Sequence, residues 1–238
     1  MIEDRSVLAV VPARGGSKGI KLKNLREVGG RPLVSRAGDV AAAVSEIDRA
    51  VVSTDHDEIA RIAEDAGLAA PFRRPDAISG DRIGDFDVLI QALQFMETYD
   101  DRRYDIVVML QPTSPLRTPE MVAGTIRMLV EGNWDSVWTV SETDSKNHPL
   151  KQLTINGGAM DYYDPGGAKI IARQQLMPVY HRNGIAYAIT RECLLEQHSI
   201  KGRKAGAYVV AGEHVSIDTE WDLELVEFIL AREATKFG

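Results

Sequence analysis

Residues 8–24 read LAVVPARGGSKGIKLKN, an apolar run that ends in a glycine-rich loop carrying Arg14, Lys18, Lys21 and Lys23. The run Val7–Val11 reads as a buried strand, too short and too rich in valine for a helix. Gly15, Gly16 and Gly19 permit tight turns and let backbone amides approach an anion. Positive charge at the same place suits a polyphosphate; the plainer alternative is a tight turn with a solvated basic face. The dinucleotide fingerprint is absent, because Gly15-Gly16-Ser17-Lys18-Gly19 has the wrong spacing. A Walker loop is absent too, because Lys18 precedes Gly19 instead of following it.

Outward from this loop, strand-like and helix-like runs alternate over the first 140 residues. Residues 32–45 read as a helix opened by proline, 50–53 as a short strand, and 56–66 as a helix closed by Gly67. Phe86, Leu89, Ile90, Leu93 and Met96 recur at helical spacing within 85–99. Residues 105–110 read as a buried strand, and 136–140 as another. Thr118-Pro119 is a helix start, with threonine as cap and proline at the first helical position. This alternation predicts an α/β fold: a mostly parallel sheet with helices on both faces. Ligands of such sheets bind beyond the carboxyl ends of the strands, here in loops 12–24, 53–57 and 111–117.

Near residue 144 the pattern changes. Residues 145–190 carry Gly157-Gly158, Pro165-Gly166-Gly167 and several β-branched or aromatic residues, which reads as antiparallel hairpins. They form an insert within a single domain spanning 1–238, suited to a partner chain or to a flap. Residues 219–236 read as a closing helix, with Thr219 and Asp222 spaced as a capping box.

Composition narrows the function. The chain has 238 residues and a formal net charge of −7, which argues against general nucleic-acid binding. Residues 12–32 nevertheless hold six basic residues and one acid, Glu27, an island suited to a small anionic ligand. No apolar run approaches membrane-spanning length, the N-terminus MIEDRS has no apolar signal region, and the lone Cys193 fits a reducing cytoplasm.

Other polar clusters fall in loops. Ser53-Thr54-Asp55 offers a helix cap or a ligand contact. Gln111-Pro112-Thr113-Ser114-Pro115 is stiffened by its prolines and presents donors and acceptors, while Arg117 suits a structural ion pair with an acid of the first loop. Arg173 and Arg182 could form a fork for a carboxylate. Asp218 could hold Mg²⁺ against a phosphate, since hard oxygen ligands suit that ion, or could cap the closing helix.

Taken together, ARGGSKGIKLKN, VSTD, RPDAISGD, LQPTSPLR, HPLK, RQQL, NG-x-x-Y and SIDT-x-x-DL resemble the cytidylyltransferases that activate acidic sugars, especially the N-acylneuraminate cytidylyltransferase family. The resemblance runs from Leu8 to about Leu230. It implies transfer of CMP from CTP to an acidic 2-keto sugar, with release of pyrophosphate. It further implies that Arg14, Ser17, Lys18 and Lys23 hold the triphosphate, that Asn24 contacts the nucleotide, and that Arg74 and Asp81 shape the cytidine pocket. Gln111, Thr113 and Ser114 would line the junction of nucleotide and sugar. Arg173, Asn183 and Tyr187 would face the sugar acid. Arg14, Lys23 and Asp218 would be catalytic, Asp218 binding Mg²⁺ and standing as candidate base. The insert would dimerise the chain. Three departures bear on this. Ser216 replaces the first acid of the family's Asp-x-Asp. His181 follows Tyr180 where an arginine is usual. His198-Ser199-Ile200 stands where sialic acid enzymes tend to carry an aromatic pair. The acceptor stays open among N-acylneuraminate, legionaminate, pseudaminate and Kdo, and a non-catalytic nucleotide-sugar-binding homologue is the alternative from another class.

Overall fold

The computed structural model describes residues 2–236. In chain order the strands are β1 (Val7–Pro12), β2 (Glu27–Val28), β3 (Arg31–Pro32), β4 (Arg49–Ser53), β5 (Ile106–Met109), β6 (Ser136–Glu142), β7 (Leu153–Asn156), β8 (Ala159–Tyr162), β9 (Tyr180–Thr190) and β10 (Ala205–Val209). The helices are α1 (Leu33–Ala43), α2 (Asp57–Asp65), α3 (Asp85–Tyr99), α4 (Pro119–Glu131), α5 (Arg191–Leu195) and α6 (Glu220–Lys236). The six-stranded sheet runs β10-β6-β9-β5-β1-β4. β1 lies parallel to β4 and β5, and β10 parallel to β6, whereas β9 is antiparallel to both its neighbours.

Strand periodicity explains the two-faced core. Val7, Ala9 and Val11 face a layer built by α1, α2 and α4, while Leu8 and Val10 face α3 and α5. β5 divides likewise, Ile106 and Val108 to one side, Val107 and Met109 to the other. A strand buried on both faces has to be apolar throughout, which is why IVVM and LAVV read as unbroken runs. A third cluster, Ile20, Val28, Leu33, Ile217, Leu223 and Val226, packs α6 beneath the first loop.

Helix starts follow local chemistry. Thr118 Oγ1 accepts from the amide of Met121 (3.4 Å) ahead of Pro119. At α6, Asp222 Oδ2 accepts from the Thr219 amide (2.7 Å) and the Asp222 amide donates back to Thr219 Oγ1 (3.4 Å), the reciprocal pattern of a capping box.

The expectation of hairpins throughout 145–190 needs correction. Only β7 and β8 form a separate antiparallel pair. Residues 180–190 instead enter the main sheet between β5 and β6. Their apolar stretch Ile185–Ile189 is fully enclosed there, so burial claims this strand for the core. The carboxyl ends of β1, β4 and β5 lie side by side, and the loops leaving them converge on one cleft.

Candidate functional site

The loop after β1 is tied down at both ends. The Gly15 amide donates to Asp55 Oδ1 (2.7 Å), and Asn24 Nδ2 donates to the Arg14 carbonyl (2.9 Å). Asp55 therefore anchors the loop instead of capping α2, for which no side-chain cap is formed. Lys23 Nζ donates to the Ile217 carbonyl (2.7 Å) and to Asp218 Oδ1 (2.9 Å). Its side chain is 15 % exposed and that of Asp218 is 75 % exposed, so a buried stem delivers a cation to the cleft. Gly19 makes this juncture possible: a Cβ there would collide with the Asp218 carbonyl oxygen. Arg14 Nη1 and Lys18 Nζ both reach Asp81, at 2.7 and 2.5 Å. Lys18 above all, joined by Arg14, holds the Asp81 carboxyl below the usual carboxylate range, against the opposing effect of desolvation.

These groups line a cleft of about 610 Å³ together with Ser17, Arg74, Asp85, Gln111, Thr113 and Ser216. Arg74 is buried; its amide donates to the Thr54 carbonyl (2.7 Å), and its guanidinium bonds Ser53 through the hydroxyl (3.0 Å) and the carbonyl. Burial pushes its pKa down to about 10. Asp85, at the start of α3, carries a carboxyl raised by burial, with Arg182 and Arg74 opposing the rise. Asp85 and Val88 were not legible as cleft residues. The spacing of α3 marks its core face only; the glycine before Asp85 was the one local sign that this end of the helix faces a loop.

The loop after β5 differs in part from expectation. Gln111 and Thr113 reach the cleft, but Ser114 is buried and its hydroxyl donates to the Asn183 carbonyl (2.8 Å). Among the described residues Arg117 forms no ion pair. It donates to the carbonyls of Gln111 (2.6 Å), Gly184 (3.0 Å) and Ile185. Burial pushes its guanidinium down to about 9, while three carbonyl dipoles favour the charged form. Replacing Arg117 with Met should take this donor from the Gly184 and Ile185 carbonyls, while the Gln111 carbonyl keeps the Ser114 amide, and cost about 3 kcal/mol, at 1–3 kcal/mol per buried unsatisfied group. Arg117→Lys should not restore it, since one ammonium lacks the planar fork. Urea unfolding midpoints of the two variants check this; wild-type midpoints would remove the strut.

The acceptor-side residues disperse. Asn183 is buried: Oδ1 accepts from Thr139 Oγ1 (2.7 Å) and the Ile185 amide (3.2 Å), and Nδ2 donates to Ser141 Oγ (3.0 Å). Tyr187 is buried too, its hydroxyl accepting from the Gly184 amide (3.1 Å). Both stabilise β9 and present no side chain to the cleft, because polar groups within an enclosed strand must be satisfied internally. Gly184 itself sits at φ +70°, with a Cβ position 2.7 Å from Ser114 Oγ, so glycine is required at this crossing. The fork of Arg173 and Arg182 does not form. Arg173 lines a second cavity of about 450 Å³ with His148, His181 and His214, whereas Arg182 lies over the Trp138 ring, 5.5 Å from its centroid. Alternation along β9 sends His181 and Arg182 to opposite faces.

For a divalent cation, the segment after β10 offers the Asp218 carboxylate and the Ser216 hydroxyl, both hard oxygens lining the cleft, which the carboxylates of Asp81 and Asp85 also line. Among the described residues no group of three acidic, histidine or cysteine side chains could hold a metal. The set fits Mg²⁺ in the manner of sites where one or two carboxylates act with substrate phosphates.

A family model described as cytidylyltransferase matches residues 8–234. The CMP-N,N'-diacetyllegionaminic acid synthase of Legionella pneumophila is 30 % identical over 94 % of this chain and 96 % of its own. The N-acylneuraminate cytidylyltransferase of Streptococcus agalactiae serotype V is 29 % identical over 90 % of this chain and 51 % of its own, so this chain spans about half that relative's length. A post-translational flagellin modification protein B of Campylobacter coli is 26 % identical over 94 % of both chains. In three dimensions the chain matches a CMP:2-keto-3-deoxy-manno-octonic acid synthetase solved with CTP, with a TM-score of 0.71, 19 % identity and coverage of 96 % and 99 %. At that identity the likeness establishes the fold. No described helix is long and apolar enough to cross a membrane.

Proposed function

Because this chain belongs to the cytidylyltransferase family, we propose that it transfers CMP from CTP to the anomeric hydroxyl of an acidic nine-carbon 2-keto sugar and releases pyrophosphate. The observation that carries this reading is the cleft: a glycine-rich loop whose Arg14, Lys18 and Lys23 line, together with Asp218, a space of about 610 Å³. The relatives' names supply the acceptor class, N-acylneuraminate and diacetyllegionaminate.

The reaction requires the acceptor oxygen, the α-phosphorus and the leaving oxygen to lie in line while charge on the phosphates is neutralised. Arg14, Lys18 and the loop amides, with Ser17, hold the β- and γ-phosphates. Lys23, fixed by Asp218 and the Ile217 carbonyl, is placed to meet charge that develops on the α-phosphate oxygens. Preorganised donors of this kind need no rearrangement as the reaction proceeds. Arg74, braced on Ser53, frames the nucleoside end with Asn24 and Asp85, and Gln111 and Thr113 stand at the boundary with the acceptor. Asp218 and Ser216 would hold Mg²⁺, which supplies further charge neutralisation at the phosphates when bound. Asp218 is also the candidate to take the acceptor's proton. Arg173, which lines the other cavity with His148 and His181, is the residue that on this reading would face the sugar acid.

The segment between β6 and β9 exposes Ile155, Met160, Tyr163, Ile171 and Met177 to solvent. An apolar surface of this kind suits an interface, which supports a homodimer built through residues 145–179 of a single domain. A cytoplasmic enzyme is consistent with the lone, buried Cys193.

Pyrophosphate release tests the reading. Protein whose mass is first measured by light scattering, with two chains expected, is supplied with CTP, Mg²⁺ and in turn N-acetylneuraminate, legionaminate, pseudaminate and Kdo, with ATP, GTP and UTP as controls. Turnover with CTP and one nine-carbon acid is expected. Turnover with Kdo alone would move the acceptor class. CTP binding without turnover on any acid would favour the non-catalytic reading, for which Ser216 is the supporting feature.

A further inference from the structure

Asp81 is the unusual member of the cleft. Of the three loop cations that line the cleft, Arg14, Lys18 and Lys23, the first two are engaged by one carboxylate, Arg14 on Oδ1 at 2.7 Å and Lys18 on Oδ2 at 2.5 Å. Carboxylates and phosphates use the same charge-assisted donors. Asp81 and a triphosphate therefore compete for the same two side chains within the same cleft. The contact is built to exchange. Asp81 lies between Gly80 and Gly84 in a stretch with neither helix nor strand, and the space beside both glycines is open: a Cβ would meet nothing at Gly84 and only Ile83 at 3.9 Å at Gly80. Lys18 is 78 % exposed, and ion pairs in such reach of water are weak enough to break readily.

We propose that Asp81 is an internal counter-anion: it occupies Arg14 and Lys18 when no nucleotide is bound, yields them to the triphosphate, and returns to them as pyrophosphate leaves. It thereby lowers the affinity of the loop for its anion and speeds release of the product. This reverses the expectation that Asp81 shapes the cytidine pocket. It rests on the phosphate-binding reading of the loop under Proposed function, and it assigns Asp81 a positioning role in which it touches no substrate atom.

Direct titration with inorganic pyrophosphate tests it without any acceptor. Asp81→Asn keeps the side chain's shape and removes its charge. Asp76→Asn is the control, since Asp76 is exposed five residues before Asp81 and is not among the residues that line the cleft. The expected result is pyrophosphate binding about fivefold to tenfold tighter in Asp81→Asn, as the loss of two competing ion pairs implies, and a change under about twofold in Asp76→Asn. In turnover assays, product inhibition by pyrophosphate should strengthen by the same factor and the KM for CTP should fall. Unchanged or weaker pyrophosphate binding in Asp81→Asn, an equal gain in Asp76→Asn, or no pyrophosphate binding by any form would overturn the proposal. Calorimetry with CTP and ATP separates this from the cytidylyl reading, which fails by itself if Asp81→Asn tightens pyrophosphate while CTP binds no better than ATP.

Discussion

Lys23→Ala is expected to lower kcat/KM by about 100- to 1000-fold, the range seen when one preorganised donor to developing charge is removed. Two features make this side chain hard to replace. Its stem is largely buried, and its ammonium is fixed by two oxygens that belong to residues 194 and 195 positions away, the Ile217 carbonyl and Asp218 Oδ1. The donor is therefore in place before substrate arrives. Lys23→Met separates charge from packing, because it keeps the unbranched stem in its buried track. Both variants should show the same kinetic loss, with Lys23→Met unfolding in urea close to wild type. If Lys23→Met retained turnover within a few-fold of wild type, the cation would have no part in the chemistry.

Gly19→Ala should lower turnover by about 100-fold, while Gly16→Ala changes it by less than about threefold. Both replacements add one methyl group to the same loop, so propensity and loop entropy affect them alike. The tertiary surroundings differ. A Cβ at Gly16 meets nothing within 4 Å, whereas one at Gly19 strikes the backbone carbonyl of Asp218. A backbone atom cannot rotate away, so the loop and the Asp218 segment must separate. A displacement near 1 Å at a reacting centre can cost about two orders of magnitude. Steady-state kinetics on the pair decide the matter; equal activities would show that the approach of Gly19 to Asp218 does not set the spacing of the site.

Much of the frame is legible because its causes are local. β1 and β5 are apolar on both faces since both faces are covered, and such strands stand out in any order of reading. The starts of α4 and α6 follow from Thr118-Pro119 and from Thr219 with Asp222, where side chains satisfy amides within four residues. The glycine-rich loop shows itself by composition, since few uses other than anion binding bring three glycines and four cations together in ten residues.

On the acceptor side the structure places three of the expected contact residues in the interior. Asn183, Tyr187 and Ser114 are polar residues next to turn signals and read as ligand contacts. Their polar atoms are instead consumed in bonds to Thr139, Ser141, Gly184 and each other's strands. Arg117 reads as half of an ion pair and serves as a strut under three carbonyls. A polar side chain looks the same in sequence whether it faces a ligand or a neighbouring strand; only its depth tells the two apart. Depth here follows from the insertion of β9 between β5 and β6, an antiparallel strand in a mostly parallel sheet whose partners lie 38 to 84 residues away in sequence.

By itself, then, the chain's sequence determined the strand–helix alternation, the ends of its helices and the basic, glycine-rich character of its first loop, because short-range hydrogen bonding, the period of apolar residues and local composition encode these. Tertiary structure alone decided the place of β9, the enclosure of Asn183 and Tyr187, the separation of Arg173 from Arg182, and the engagement of Arg14 and Lys18 by Asp81. Each of these depends on contacts between residues far apart in the chain, and which distant groups meet is settled by how the layers pack.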